Sequence, residues 1–106
     1  MLSSQPDSRR ILTYGHDSVL LETRRLLLEQ GGFAGDTAST FQEFQARIAE
    51  AQPPYGLYVL CHTVPAAEQH AIVANALKAN TAVYQLTAAV GPPDFLIKVS
   101  ELLSDR

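Results

Sequence analysis

Between Pro53-Pro54 and Pro65 the chain reads Tyr55-Gly-Leu-Tyr-Val-Leu-Cys-His-Thr-Val64, and its centre, Leu57 to Leu60, is continuously apolar. Proline cannot donate to a strand ladder, so the flanking prolines fence this segment off. A strand with no polar face has to be covered on both sides, as happens in parallel sheets packed between helices. In open α/β sheets the chemistry lies just beyond the carboxyl ends of such strands. Cys61 and His62 occupy that position, and function is sought there first.

The remaining segments supply the layers that this strand needs. Met1 to Ser8 reads as a loose polar tail, and residues 9–104 as one domain. Arg9 to Tyr14 forms a first strand closed by Gly15. Asp17-Ser18 can cap the helix that follows, in which Val19, Leu20, Leu21, Leu26, Leu27 and Leu28 are the apolar residues. Arg24 and Arg25 belong on its solvated side, and Gly31-Gly32 end it. Phe33 to Ala38, with Gly35 and Asp36, suits an edge strand. Thr40 and Glu43 match a capping box ahead of a helix striped by Phe41, Phe44 and Ile48.

After the central strand, Ala66 to Asn80 forms an alanine-rich helix led by Ile72, Val73, Ala76 and Leu77. Thr81 to Thr87 is a fourth strand. Gly91-Pro92-Pro93 interrupts the chain, and Asp94 to Leu103 is a last helix with Phe95, Leu96, Val99, Leu102 and Leu103 inward. Strictly alternating units of this length give a doubly wound parallel sheet with right-handed crossovers. The expected strand order is 2-1-3-4, which brings Gly15, His16, Cys61 and His62 to one crevice.

Composition bounds the function. A net charge of −3 with only short basic pairs argues against a nucleic-acid surface. A single cysteine forms no internal disulfide, and no apolar run approaches the roughly 20 residues of a membrane span. The first residues lack the apolar core of a signal peptide, so a cytoplasmic location is expected. The glycines end helices and do not open them, so they form no nucleotide fingerprint.

From about Arg9 to Leu103 the chain resembles the response-regulator receiver domains of two-component signalling and phosphorelays, a flavodoxin-like family. Ile11 to Phe33 follows the family's first strand, acidic loop and first helix. Gly56-Leu-Tyr-Val-Leu-Cys61 lies where the phospho-acceptor strand belongs, with Val64-Pro65 after it. Ala82-Val-Tyr-Gln-Leu-Thr-Ala88 is similar to the fourth strand, and Pro92-Pro93-Asp94-Phe95-Leu96 to the start of the final helix.

The resemblance implies a magnesium-dependent aspartyl phosphorylation site, and the residues for it have been replaced. The two acidic positions are Gly15 and His16, since Asp17 falls one place too late. The acceptor aspartate is Cys61, and the lysine falls near Gly91. Thr87 alone keeps the family's residue type. Between Thr87 and Pro92 there is no room for the family's fourth helix and fifth strand, so both are read as deleted. Tyr84 is not assigned the aromatic switch role, which belongs to the missing strand. The last strand is then an open edge, with Ala82, Tyr84 and Leu86 as interface candidates.

The expectation is a pseudo-receiver that works by contact with a protein partner or as a homodimer, without enzymatic activity, cofactor or metal. Magnesium requires hard oxygen ligands, and this crevice offers at most Asp17. A zinc site from Cys61, His16 and His62 lacks ligand spacing and a fourth ligand. The alternative is a thiol-based redox sensor or small cysteine enzyme centred on Cys61, with an imidazole nearby to lower the thiol pKa. Against it stands a buried Cys61 that behaves as a small hydrophobe.

Overall fold

The computed structural model describes residues 7–51, 54–86 and 92–104. The chain alternates strand and helix: β1 (Asp7–Tyr14), α1 (Ser18–Gln30), β2 (Ala34–Ala38), α2 (Phe41–Glu50), β3 (Tyr55–Leu60), α3 (Ala66–Ala79), β4 (Ala82–Gln85) and α4 (Pro92–Ser104). The strands form one parallel sheet in the order β2-β1-β3-β4, as expected. All six residues of β3 are buried. β1 begins at Asp7, within the stretch read as a loose tail, because Asp7 pairs with Tyr55 across an irregularity in the ladder.

Side-chain alternation along the strands divides the core in two. Ile11, Leu57 and Val59 meet Leu21 and Leu28 of α1 and Phe95, Val99 and Leu103 of α4 on one face. Leu12, Tyr14, Tyr58 and Leu60 meet Phe44 of α2 and Ile72 and Ala76 of α3 on the other. Each cluster is closed by residues from two helices, so neither helix pair can leave without exposing β3.

The helix ends follow the local chemistry. Asp17 accepts from the amides of Val19 and Leu20 at 3.0 and 3.2 Å. Thr40 accepts from the Glu43 amide at 3.0 Å, while the Glu43 carboxylate reaches back to the amide of Ser39, one residue before the cap. Gly32 supplies the left-handed turn after α1 at φ 88°. Asn80 does the same after α3 at φ 56°, as asparagine tolerates.

Two surface assignments are corrected. Val19, Leu26 and Leu77, counted among the apolar helix residues, are exposed; Leu77 has 79% of its surface in solvent. Arg24, assigned to the solvated side of α1, is only 7% exposed. It sits at i+3 from Leu21 and i−4 from Leu28, on the stripe that faces the core. Arg25 alone behaves as expected, pairing with Glu22 and Glu29 on the open face.

The Arg24 guanidinium carbon lies 5.8 Å from the centre of the Phe95 ring, and its Nε has no hydrogen-bond partner among the described residues. A cation–π contact at this range contributes about 0.5–1 kcal/mol. An unsatisfied buried donor on a charged group costs about 1–3 kcal/mol or more. The cost outweighs the gain. Arg24→Met, which keeps the aliphatic length, is therefore expected to leave stability in urea unchanged or raise it by about 1 kcal/mol; a loss of that size would show that the guanidinium is paired.

Candidate functional site

The carboxyl ends of β2, β1 and β3 are stitched together by main-chain bonds. The Cys61 amide donates to the Tyr14 carbonyl at 2.9 Å, and the Gly15 amide donates to the Ala38 carbonyl at 3.2 Å. Cys61 is 1% exposed. A Cβ placed on Gly15 would stand 2.7 Å from the Cys61 Cβ and 2.9 Å from its Sγ. Both contacts are closer than carbon and sulfur tolerate, so the side chain at 61 occupies the space that a side chain at 15 would need. The crevice floor is closed.

From that floor the polar groups part to opposite faces of the sheet. Cys61 belongs to the cluster of α1 and α4, with Leu21, Leu86 and Phe95. Burial pushes its thiol pKa up; the Arg24 charge opposes this and the Asp17 charge adds to it, and burial dominates. Such a thiol is held neutral. The turn of residues 61–64 is closed by the Val64 amide on the Cys61 carbonyl at 3.1 Å, and it leaves His62 and Thr63 exposed.

On the other face, Tyr14 packs among Phe41 and Phe44 and donates its hydroxyl to Glu68 Oε1 at 2.5 Å. Burial first, then the bond and charge of Glu68, hold this phenol well above its ordinary pKa. His16 Nδ1 lies 3.2 Å from the Ser39 carbonyl, which can only accept, so that nitrogen carries a proton. His16 Nε2 faces Glu68 Oε1 at 3.6 Å and the Tyr14 hydroxyl at 3.5 Å, an ion pair when the ring is protonated. The His16 amide donates to Thr63 Oγ1 at 3.3 Å. The loops after β1, β2 and β3 are thereby tied to the first turn of α3.

Of the residues expected in one crevice, Gly15 and Cys61 touch. His16 is exposed and turned toward Ser39 and Glu68, and His62 lies exposed in the turn. Thr87 and Gly91 fall outside the described residues. Ala82 and Tyr84 are half-buried and Leu86 is buried; the Tyr84 ring stacks on Phe95 with centroids 6.0 Å apart. Their side chains therefore turn into the domain, and among the described residues no strand pairs with the outer backbone of β4. Tyr14 and Glu68 were not singled out from the sequence as site residues, and Arg24 was placed on the solvated side. Only Arg24 carried a signal there, the i, i+3, i+7 spacing with Leu21 and Leu28.

His16 and Glu68 offer a metal two ligands; among the described residues no group of three or more His, Cys, Asp or Glu side chains converges. Nor is any helix there long and apolar enough to cross a membrane.

No protein-family model and no curated protein sequence matches the chain. Solved structures do. A CheY-like response regulator receiver domain protein from Methanospirillum hungatei is 21% identical with a TM-score of 0.67, over 92% of this chain and 94% of that one. The non-phosphorylated HemR receiver domain from Leptospira biflexa is 20% identical with a TM-score of 0.65, over 94% and 95%. A de novo designed Rossmann fold protein is 18% identical with a TM-score of 0.56, over 88% and 95%. A designed protein with the same architecture makes plain that likeness at this level concerns the fold. The chain has the fold of a response-regulator receiver domain.

Two outcomes follow. Gly15→Asp, which restores an acidic residue, is expected to cost about 1–3 kcal/mol in urea unfolding through overpacking, with part of the loss recovered when Cys61→Gly is added. Alkylation of Cys61 in the native protein should be slow at neutral pH and accelerate only above the ordinary thiol range of about 8.5. The thiol pKa is raised in the folded state, so its contribution to stability is complete below the unfolded value. That contribution is lost as pH rises through the folded value. Cys61→Ala should flatten this alkaline limb.

Proposed function

We propose that the chain is an atypical receiver-like signalling module that acts by protein–protein contact without aspartyl phosphorylation. The receiver fold supports the signalling context. The observation that carries the reading is Cys61 packed into the space above Gly15, where a phosphorylating site needs an acceptor carboxylate and acidic metal ligands. Phosphoryl transfer requires a nucleophile, a divalent cation and charge balance; here the strand end presents a buried neutral thiol, and the nearby carboxylate of Glu68 is engaged by Tyr14. The reading places the regulated surface at β4 and its flanking helices, with a protein as partner, no nucleic acid, and the cytoplasm as the site of action.

A thiol-based sensor centred on Cys61 has one observation in its favour, the Arg24 charge that works to lower the thiol pKa. Burial outweighs it, and the His16 ring bonds toward Ser39 and not toward the sulfur. Rapid alkylation at neutral pH would favour the sensor over the contact module.

The direct test is incubation with a small phosphodonor and Mg²⁺, followed by intact-mass measurement and peptide mapping. No phosphate adduct is expected. An adduct on a crevice side chain would rule out the phosphorylation-independent reading.

A further inference from the structure

We infer that β4 is the pairing edge for a second copy of this chain, antiparallel and about a two-fold axis. The inference rests on the reading of β4 as the contact surface and adds the partner. The Leu86 amide donates to the Leu60 carbonyl at 2.8 Å, so Leu86, Tyr84 and Ala82 turn their backbone groups toward β3. Successive residues of a strand point opposite ways, and the amides and carbonyls of Val83 and Gln85 therefore point off the sheet. Among the described residues β4 pairs only with β3.

The two helices beside this edge are not polar covers. On α3, Ile72 and Ala76 face the sheet, and Asn75 and Ala79 line the groove toward Gln45 and Ile48 of α2. At about 100° per residue, Val73 and Leu77 fall on the opposite flank, above the open edge. Val73 and Val83 are half-buried, and Leu77 is the most exposed large apolar residue described. On the other face, Phe95 and Val99 of α4 point inward, while Leu96 leans toward Gly31 at the end of α1. Asp94, Lys98 and Glu101, all exposed, are left on the flank turned to the edge, and Glu101 has an interaction of its own within the chain.

The Asp94 and Lys98 pair on that flank is complementary to a reversed copy of itself. A two-fold axis perpendicular to the sheet at Tyr84 sets Val83 opposite Gln85 of the second copy and lays the α4 helices antiparallel. The Tyr84–Phe95 stack fixes the first turn of α4 at the level of this axis. Lys98 of each copy then meets Asp94 of the other, while Val73 and Leu77 of both copies close over the opposite face. An acid and a base four residues apart on one flank favour a reversed copy of themselves.

Sedimentation equilibrium of the full chain across the micromolar range tests the pairing. A dimer is expected. Lys98→Glu and Leu77→Lys, both at exposed positions that leave the core intact, should each weaken it by about tenfold or more. The charge exchange Asp94→Lys with Lys98→Asp should restore it to within about threefold. Circular dichroism checks that each variant is folded. A wild-type chain that stays monomeric overturns the inference, and so does a dimer indifferent to both Lys98→Glu and Leu77→Lys. Phosphate mapping is a separate readout: a monomer without adduct removes the pairing and leaves the contact reading standing, whereas an adduct removes that reading whatever the oligomeric state.

Discussion

Everything in this domain depends on burying β3 on both faces. Six consecutive buried residues leave no side of the strand for water, so helices must cover it above and below. With β1 beside it as the other strand paired on both sides, the edges fall to the short strands β2 and β4. The same constraint brings the two central strands to a common end, where Cys61 and Gly15 meet. A backbone pairing made for stability thus determines which residues stand at the mouth of the fold.

At that mouth, alternation separates the chemistry into a dry side and a wet side. Cys61 and Arg24 share the apolar cluster of α1 and α4, where desolvation dominates and the thiol stays neutral. Tyr14, His16, Ser39 and Glu68 join the loops on the other side in reach of solvent. The sulfur and the imidazole, suggestive as sequence neighbours of two strand ends, are therefore directed away from each other. Chemistry that needs both would first have to reverse the pleat, which costs the register of a buried strand.

Much of this was legible in the residues. The proline-fenced apolar run named the central strand, Asp17 and Thr40 named two helix starts, and strict alternation of elements gave the strand order. Each signal acts locally, or through a pattern with a single three-dimensional solution. Arg24 was misplaced because a charge is assigned to water by default, and position within a helical stripe was outweighed by residue type. The exposure of Leu77 was not legible: it was named among the leading apolar residues of its helix with no side assigned, and among the described residues that flank of α3 has no further strand to pack on. The Tyr14–Glu68 bond spans 54 residues, and nothing in either local sequence announces it.

The short passage from β4 to α4 links the shape of the sheet to the manner of signalling proposed for it. A receiver that transfers phosphate changes state through a new charge in its crevice. Here Cys61 fills the space beside Gly15, and on the proposed reading a change of state is driven by differential binding at a surface. The stack of Tyr84 on Phe95, with Arg24 on the same ring, joins the open strand to α4 and α1 on the dry side of the core. A partner that alters β4 therefore acts on the packing around Cys61. By reciprocity, a change in that packing acts on the partner's affinity by the same factor. The coupling a phosphate would have supplied from the crevice outward runs, on this reading, from the edge inward.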